Sequence, residues 1–272
     1  MSRGEYAPGM TDVPAGVDPL IASPARIYDY YLGGKDHFEA DRVAAEALLA
    51  VFPYGPVAAR QNRGFLVRGV RHLAESGVRQ FLDIGSGLPT QENVHQVAQR
   101  VWAGARVVYV DVDPVAVVHS RALLARSSTV EAEEGDLRDP EALLETARRH
   151  LDFERPVGVL VAAVTHFVPG SADPYGLVAA LMDATVRGSH LLLSQATADM
   201  ASEEALHRAE EEWSKTSATL HTRTYEETVR FFDGLELLEP GVVPVTEWRP
   251  HPDESYPGAD KAPLYAGVGR KT

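Results

Sequence analysis

The chain of 272 residues has no cysteine, which excludes disulfides, thiolate metal sites and cysteine nucleophiles together. Positive charge is scarce. Lys and Arg number 26 against 39 Asp and Glu, a formal net charge of −13 at pH 7, which disfavours nucleic acid or an anionic membrane as partner. No run is long and apolar enough to span a bilayer, and residues 1–19 lack the continuous apolar core of a secretory signal, so the expected location is cytoplasmic. Internal repeats and low-complexity blocks are missing too. The 10 histidines are scattered with no His-x-x-x-His pair, so a metal site is not expected.

What is there falls into two patterns. Residues 1–22 open with dense Pro, Gly and Asp, which predicts a flexible lead-in, with Tyr6 or Met10 as possible anchors. Residues 23–77 read as helices, and as a lid rather than a separate domain. The first helix has Ser23 as cap, Pro24 at its first position and Gly33 at its end; the second runs from His37 to Val51 with Asp36 as cap. A third, over 57–75, carries a stripe of Leu66, Val70, Leu73 and Ala74.

From about residue 78 to 272 strands and helices alternate, the signature of a parallel sheet with crossover helices. Strands are expected over 80–84, 106–110, 129–133, 157–164 and from His190, with helices between them. Two helices follow, one over 202–214 and one capped by Thr224 with Glu227 three residues later. The apolar stretches VVPVTEW and LYAGVG, separated by a loop rich in Pro and Asp, then read as an antiparallel terminal pair. The expected fold class is α/β: a seven-stranded Rossmann-like sheet, mostly parallel, plus an N-terminal helical cap.

The organising stretch is QFLDIGSGLPT, residues 80–90, an apolar strand running into a Gly-x-Gly turn and a helix opened by Thr90. Glycines there let the backbone approach a ligand, and the helix offers free N–H groups at its positive end. The turn lacks the third glycine or alanine of a dinucleotide fingerprint, since Thr90 occupies that position behind Pro89. Asp83, just before the first glycine, would repel a phosphate but suits a cationic or hydroxyl-bearing ligand. S-adenosylmethionine, with an amino group, a sulfonium and no phosphate, fits. A glycine turn that merely ends a strand is the plain alternative, and a nicotinamide-dependent oxidoreductase is the enzyme alternative that Thr90 disfavours.

Residues 80–200 resemble a class I S-adenosylmethionine-dependent methyltransferase through three acids in order: Asp83 in LDIGSG, Asp111 in YVDVDP and Asp136 in EGDLRD. The resemblance implies that Asp83, Gly85, Ser86 and Gly87 face the methionine part of the cofactor. It implies further that Asp111, with Val112 beside it, takes the ribose hydroxyls, and that Asp136, with Leu137, takes the adenine amino group. Asp113 and Asp139, each just before a proline, read as helix caps. A turn acid is the plain reading of Asp136. The longer runs PARIYDYYLGGKDHFEADR, RQNRGFLVR, WRP and YAGVGRK are similar to a bacterial family of S-adenosyl methyltransferases long catalogued as a domain of unknown function, over about Ser23 to Lys271. That likeness implies the cofactor, with S-adenosylhomocysteine as product, and is silent on the acceptor. Leu88 and Pro89 depart from the small residues that many class I members carry after the second glycine.

Methyl transfer from a sulfonium needs alignment, exclusion of water and, for some acceptors, removal of a proton. In VTHFVPG, after the fourth strand, His166 is the candidate base, with a structural histidine as its plain alternative. In the lid, Tyr28, Tyr31 and Lys35 are candidates to line an acceptor pocket, Gly33 to hinge it, and Arg60, Asn62 and Arg63 to hold a carboxylate. A solvated helix face is the alternative for the arginines. The expected activity is O- or N-methylation of a small molecule. A cofactor-binding sensor without turnover is the non-enzymatic alternative.

Overall fold

The structure is a computed structural model that describes residues 13–89, 92–124, 127–250 and 262–272. The expected anchors Tyr6 and Met10, the helix opening at Thr90 and the loop 251–261 lie outside the described residues.

Among the described residues, three helices precede the sheet: α1 (Pro24–Tyr31), α2 (Glu39–Val51) and α3 (Gly55–Glu75). Ser23 caps α1 as its sequence predicts, accepting from Arg26 N–H. Asp36 is not the cap of α2. That helix begins two residues later than expected, and Asp41 Oδ2 reaches back to the Phe38 N–H at 2.7 Å. Alternation follows through β1 (Gln80–Ile84), α4 (Val94–Val101), β2 (Arg106–Asp111), α5 (Pro114–Leu124), β3 (Val130–Glu134), α6 (Pro140–Ala147), β4 (Gly158–Ala162), α7 (Pro174–Asp183) and β5 (His190–Ala196). The tail adds α8 (Glu203–Trp213), α9 (Tyr225–Val229), β6 (Glu236–Leu237), β7 (Val243–Pro244) and β8 (Leu264–Arg270). Thr224 and Glu227 form the expected reciprocal cap of α9.

Among the described residues the sheet has eight strands in the order β3-β2-β1-β4-β5-β8-β6, with β7 also on β8. The pairs among β1 to β5 are parallel and those made by β8 are antiparallel. The expected count of seven is corrected by the tail. LELLE and VVPVTEW each contribute only two residues, at opposite ends of the same edge of β8, because the chain turns between them at Pro240 and Gly241. One edge strand is thus broken into two. The order reverses between β1 and β4, and the carboxyl ends of parallel strands open a crevice at such a switch point.

Both faces of the sheet are buried. One cluster joins β1, β2, β4, β5 and β8 to α3, α4 and Trp248; the other joins the opposite face to α6, α7, Phe231 and Phe232. Helix α3, expected within the lid, lies against the sheet instead: Phe65, Leu66, Val70 and Leu73 are core residues. Gly69 permits the approach, since a Cβ there would stand 2.1 Å from Leu192 Cδ1 on β5. Helices α1 and α2 form a separate small cluster around Ile27, Ala45 and Leu48, with Trp213 of α8 against it. Part of the expected flexible lead-in is packed: Val13 and Val17 lie on a fourth cluster of Phe38, Leu88, Val115 and Ala116.

Phe65 is fully buried with its ring edge on to Trp248 at 5.5 Å between centroids. Phe65→Ala is expected to cost about 3–5 kcal/mol. For a chain of this size, thermal denaturation should record that as a fall in Tm of roughly 10 °C.

Candidate functional site

The crevice is built by the turn after β1 folding back over the end of β2. Gly85 and Ser86 both donate N–H bonds to the Val110 carbonyl, at 2.8 and 3.2 Å. The turn needs glycine at Gly85 for two reasons. Its φ is +66°, and a Cβ there would meet Val164 Cγ2 at 2.4 Å. Val164 follows β4, so the two loops that flank the switch point touch across it. Its neighbour Ala163 holds a left-handed φ of +59°, with its N–H bonded by Ser194 Oγ at 2.9 Å.

Asp83 pairs in register with Tyr109, and Asp111 lies two residues beyond Tyr109, so both acids project from the same face at adjacent strand ends. Both are buried. Asp111 Oδ2 accepts from Gly87 N–H at 2.7 Å and Oδ1 from Asp113 N–H at 2.8 Å. Burial pushes the Asp111 carboxyl up to about 6, against those N–H bonds, and the Asp113 charge adds to the rise. Asp83 is pushed up to about 7 by burial, with Arg63 working against the shift and Asp111 adding to it. Arg63, from α3, also donates to Glu92 O and Asn93 Oδ1, each at 3.2 Å. Arg63, Asp83, Ser86, Gly87, Asn93 and Tyr109 line one cleft.

The other expected cofactor residues divide. Val112 is 59% exposed, an apolar face beside Asp111. Leu137 is buried in the core with Ile84 and Val110, so its side chain is not available to a ligand. Asp136 is gripped by Arg138 through Nε at 2.8 Å and Nη2 at 2.5 Å. Burial alone would raise its pKa, but the Arg138 hydrogen bonds hold it below the ordinary carboxylate value. Asp113 does cap α5, accepting from Val115 N–H at 2.9 Å, and Asp139 caps α6.

The lid residues are mostly engaged elsewhere. Tyr28 donates to the Ala59 carbonyl at 2.8 Å and accepts from Asn62 Nδ2 at 3.1 Å; Asn62 Oδ1 in turn accepts from Ser194 Oγ at 2.5 Å. That chain joins α1, α3 and β5. Tyr31 packs between α1 and α2, Gly33 ends α1 with a φ of +79°, and Lys35 and Arg60 are exposed. Of the seven lid candidates, Arg63 is the one in the cleft.

His166 departs from its expected role. It is buried, its Nδ1 accepts from Ala196 N–H at 3.3 Å, and burial together with Arg223 pushes its pKa down to about 3. A neutral ring whose Nδ1 accepts carries its proton on Nε2, so it presents a donor rather than a base. Arg223 itself was not singled out in the sequence. It is buried and donates to the carbonyls of Thr165, Val168 and His221, holding the loop after β4. Arg26 was missed as well. It is buried between Asp41 at 2.9 Å and Asp113 at 3.2 Å. Neither arginine carries a local signal, because their partners lie up to 87 residues away.

The raised pKa of Asp83 has a consequence for stability. Between its ordinary 3.8 and about 7 the folded protein holds a proton that the unfolded chain has released, so stability is fully present below that window and falls as pH rises through it. Tm of the cofactor-free protein is expected to decline from pH 5 to 8. Asp83→Asn should flatten that slope, as read by thermal scans across the range.

The family described as S-adenosyl methyltransferase matches residues 10–272 of the chain. A DUF574 family protein from Streptomyces avermitilis is 40% identical, with a TM-score of 0.88 over 94% of this chain and 99% of that one. A candidate methyltransferase from Thermobifida fusca is also 40% identical, with a TM-score of 0.88 over 95% of this chain and 98% of that one. An O-methyltransferase family protein from Burkholderia thailandensis, 13% identical, shares the fold alone, with a TM-score of 0.51 over 90% of this chain and 64% of that one. No curated protein matches the chain. With a glycine turn and two acids converging at the switch point of a mostly parallel sheet, and a family match spanning nearly all of its length, the chain belongs to the S-adenosyl methyltransferase family and is an S-adenosylmethionine-dependent methyltransferase.

Proposed function

We propose that this methyltransferase acts on a small molecule, at oxygen or nitrogen, and that its cofactor lies across the ends of β1 and β2. The observation that carries the reading is the convergence of Asp83 and Asp111 on one face, with the glycine turn bonded to Asp111. The donor set fits the group. Asp111 offers two oriented oxygens for the vicinal ribose hydroxyls, and Val112 offers an exposed apolar face for the purine. Asp83 is matched to the amino group and Arg63 to the carboxylate of the methionine part, opposite charges facing opposite charges in a cleft of low dielectric. When bound, S-adenosylmethionine supplies an electrophilic methyl group on a sulfonium.

The residues around it position and enclose. The N-terminal segment docks on both cofactor loops: Phe38 packs on Leu88 of the glycine turn, and Ser23 and Arg26 bond Asp113 in the loop after β2. Leu88, out of pattern for the fold class, is therefore the contact through which the helices reach the turn. We assign the cap to α1 and α2 with α8, excluding α3, which the sheet claims. Enclosure by this cap and the charge of −13 both favour a small acceptor over a nucleic acid. His166 is assigned to tie the loop after β4 to β5 by accepting the Ala196 N–H at Nδ1, so the acceptor's own acidity, or water, handles its proton.

No helix among the described residues is long and apolar enough to cross a membrane.

Calorimetric titration with S-adenosylhomocysteine tests the site. Wild-type protein should bind, and Asp111→Ala should lose about a hundredfold or more, the value of two hydrogen bonds to a charged group. Wild-type affinity should fall as pH drops through about 7 and on through about 6, where Asp83 and then Asp111 take up their protons. Equal affinity in the variant would sink the assignment of Asp111. Tight, specific binding of RNA or DNA would sink the small-molecule acceptor.

A further inference from the structure

We infer that Arg26, a residue of α1 outside the cleft, is a positioning residue for the acid that binds the ribose, acting through Asp113. The inference rests on the reading of Asp111 as that acid.

The geometry is a relay across three elements. Arg26 Nε donates to Asp41 Oδ2 of α2 at 2.9 Å, Nη1 to Asp113 Oδ2 at 3.2 Å and Nη2 to the Ile21 carbonyl at 2.6 Å. The Phe38 ring lies under the guanidinium, 5.0 Å from its carbon to the ring centroid. Ser23 Oγ bonds the same Asp113 oxygen, and the Asp113 N–H donates to Asp111 Oδ1 at 2.8 Å. A shift of Asp113 therefore moves a donor that holds Asp111. Every side chain in the relay is buried, with Arg26 3% and Asp41 0% exposed, so water cannot substitute for a lost partner.

The charges make the same case. Asp41 and Asp113 share one cation, and Asp113 already makes Asp111 harder to ionise. Asp111 is faced further by Asp83 from β1, with Arg63 of α3 beside that acid, and is in register with Glu134 on β3. Arg26 is the cation paired with Asp113, and its removal leaves the Asp113 charge acting more strongly on Asp111. A planar fork reaching two carboxylates and a carbonyl is a task for arginine rather than lysine.

The same network ties α1 and α2 to the loop that carries the ribose acid, so seating of these helices and readiness of the cofactor site become one equilibrium. Nothing in the relay needs the acceptor, so the effect appears in cofactor binding alone.

The test is titration with S-adenosylhomocysteine between pH 5.5 and 8.5, on wild-type protein, Arg26→Met, Arg26→Lys, Asp113→Asn, the double variant Arg26→Met/Asp113→Asn, and Asp111→Ala. Arg26→Met is expected to weaken binding about tenfold to a hundredfold, the range of coupling between contacting charges. It should also move the pH at which affinity fades upward, a change that loosened packing by itself would not produce. Arg26→Lys should recover part of the affinity. The double variant should bind better than Arg26→Met alone, because the uncompensated carboxylate has gone. Unchanged affinity and pH profile in a folded Arg26→Met, or a double variant no better than the single, overturns the inference. Wild-type protein that fails to bind, or Asp111→Ala that binds like wild type, overturns the cofactor site itself and the inference with it. Should Arg26→Met not fold, Ser23→Ala removes the other donor to Asp113, and the same upward shift of the pH profile is required of it.

Discussion

Two carboxylates buried side by side impose the constraint around which this molecule is arranged. Asp83 and Asp111 stand at the ends of neighbouring parallel strands, where burial resists the ionisation of both and the Asp111 charge makes that of Asp83 harder still. An apolar pair at these positions would make a more stable sheet. The acids are tolerated because the glycine turn and Asp113 supply N–H donors to Asp111, while Arg63 reaches in toward Asp83 from α3. On the proposed reading of the site, it trades stability for readiness to receive a ligand that is cationic at one end and rich in hydroxyls in the middle.

The N-terminal helices follow from the same constraint. Loops that carry buried charge and left-handed glycines are weakly held by their own sequence, and here they are held from outside. Leu88 inserts beside Phe38, Val115 and Ala116, and Arg26 closes an ion pair onto Asp113. Helix α3 does two jobs at once. One face is sheet core, with Gly69 letting it sink against Leu192, and another presents Arg63 to the cleft and Asn62 to Tyr28 and Ser194. The loop after β4 is braced in a similar manner by Arg223, whose charge adds to burial in keeping His166 neutral.

Much of this was legible along the chain. Caps at Ser23 and Thr224, the alternation from β1 to β5, the glycine turn and the acids Asp83 and Asp111 are local patterns, written within a few residues of each other. The break of the edge strand into β6 and β7 was harder to read, since VVPVTEW has the composition of a full strand and only its pairing on β8 limits it to two residues. His166 looked like a base because an isolated histidine in a loop titrates near neutrality. Burial and an N–H from β5, neither visible in the sequence, reversed that. Tyr28 and Asn62 likewise looked available until the fold joined them to each other and to Ser194.

The sequence by itself determined the class of fold, the order of its elements and the kind of ligand, because periodicity, capping residues and the position of an acid before a glycine act over short range. Tertiary structure decided which charged groups face one another. Arg26 and Asp113 are 87 residues apart, and Ser194 and Asn62 are 132 apart. The energy of a charge is set by what burial brings beside it, and no stretch of chain specifies that before the sheet has closed.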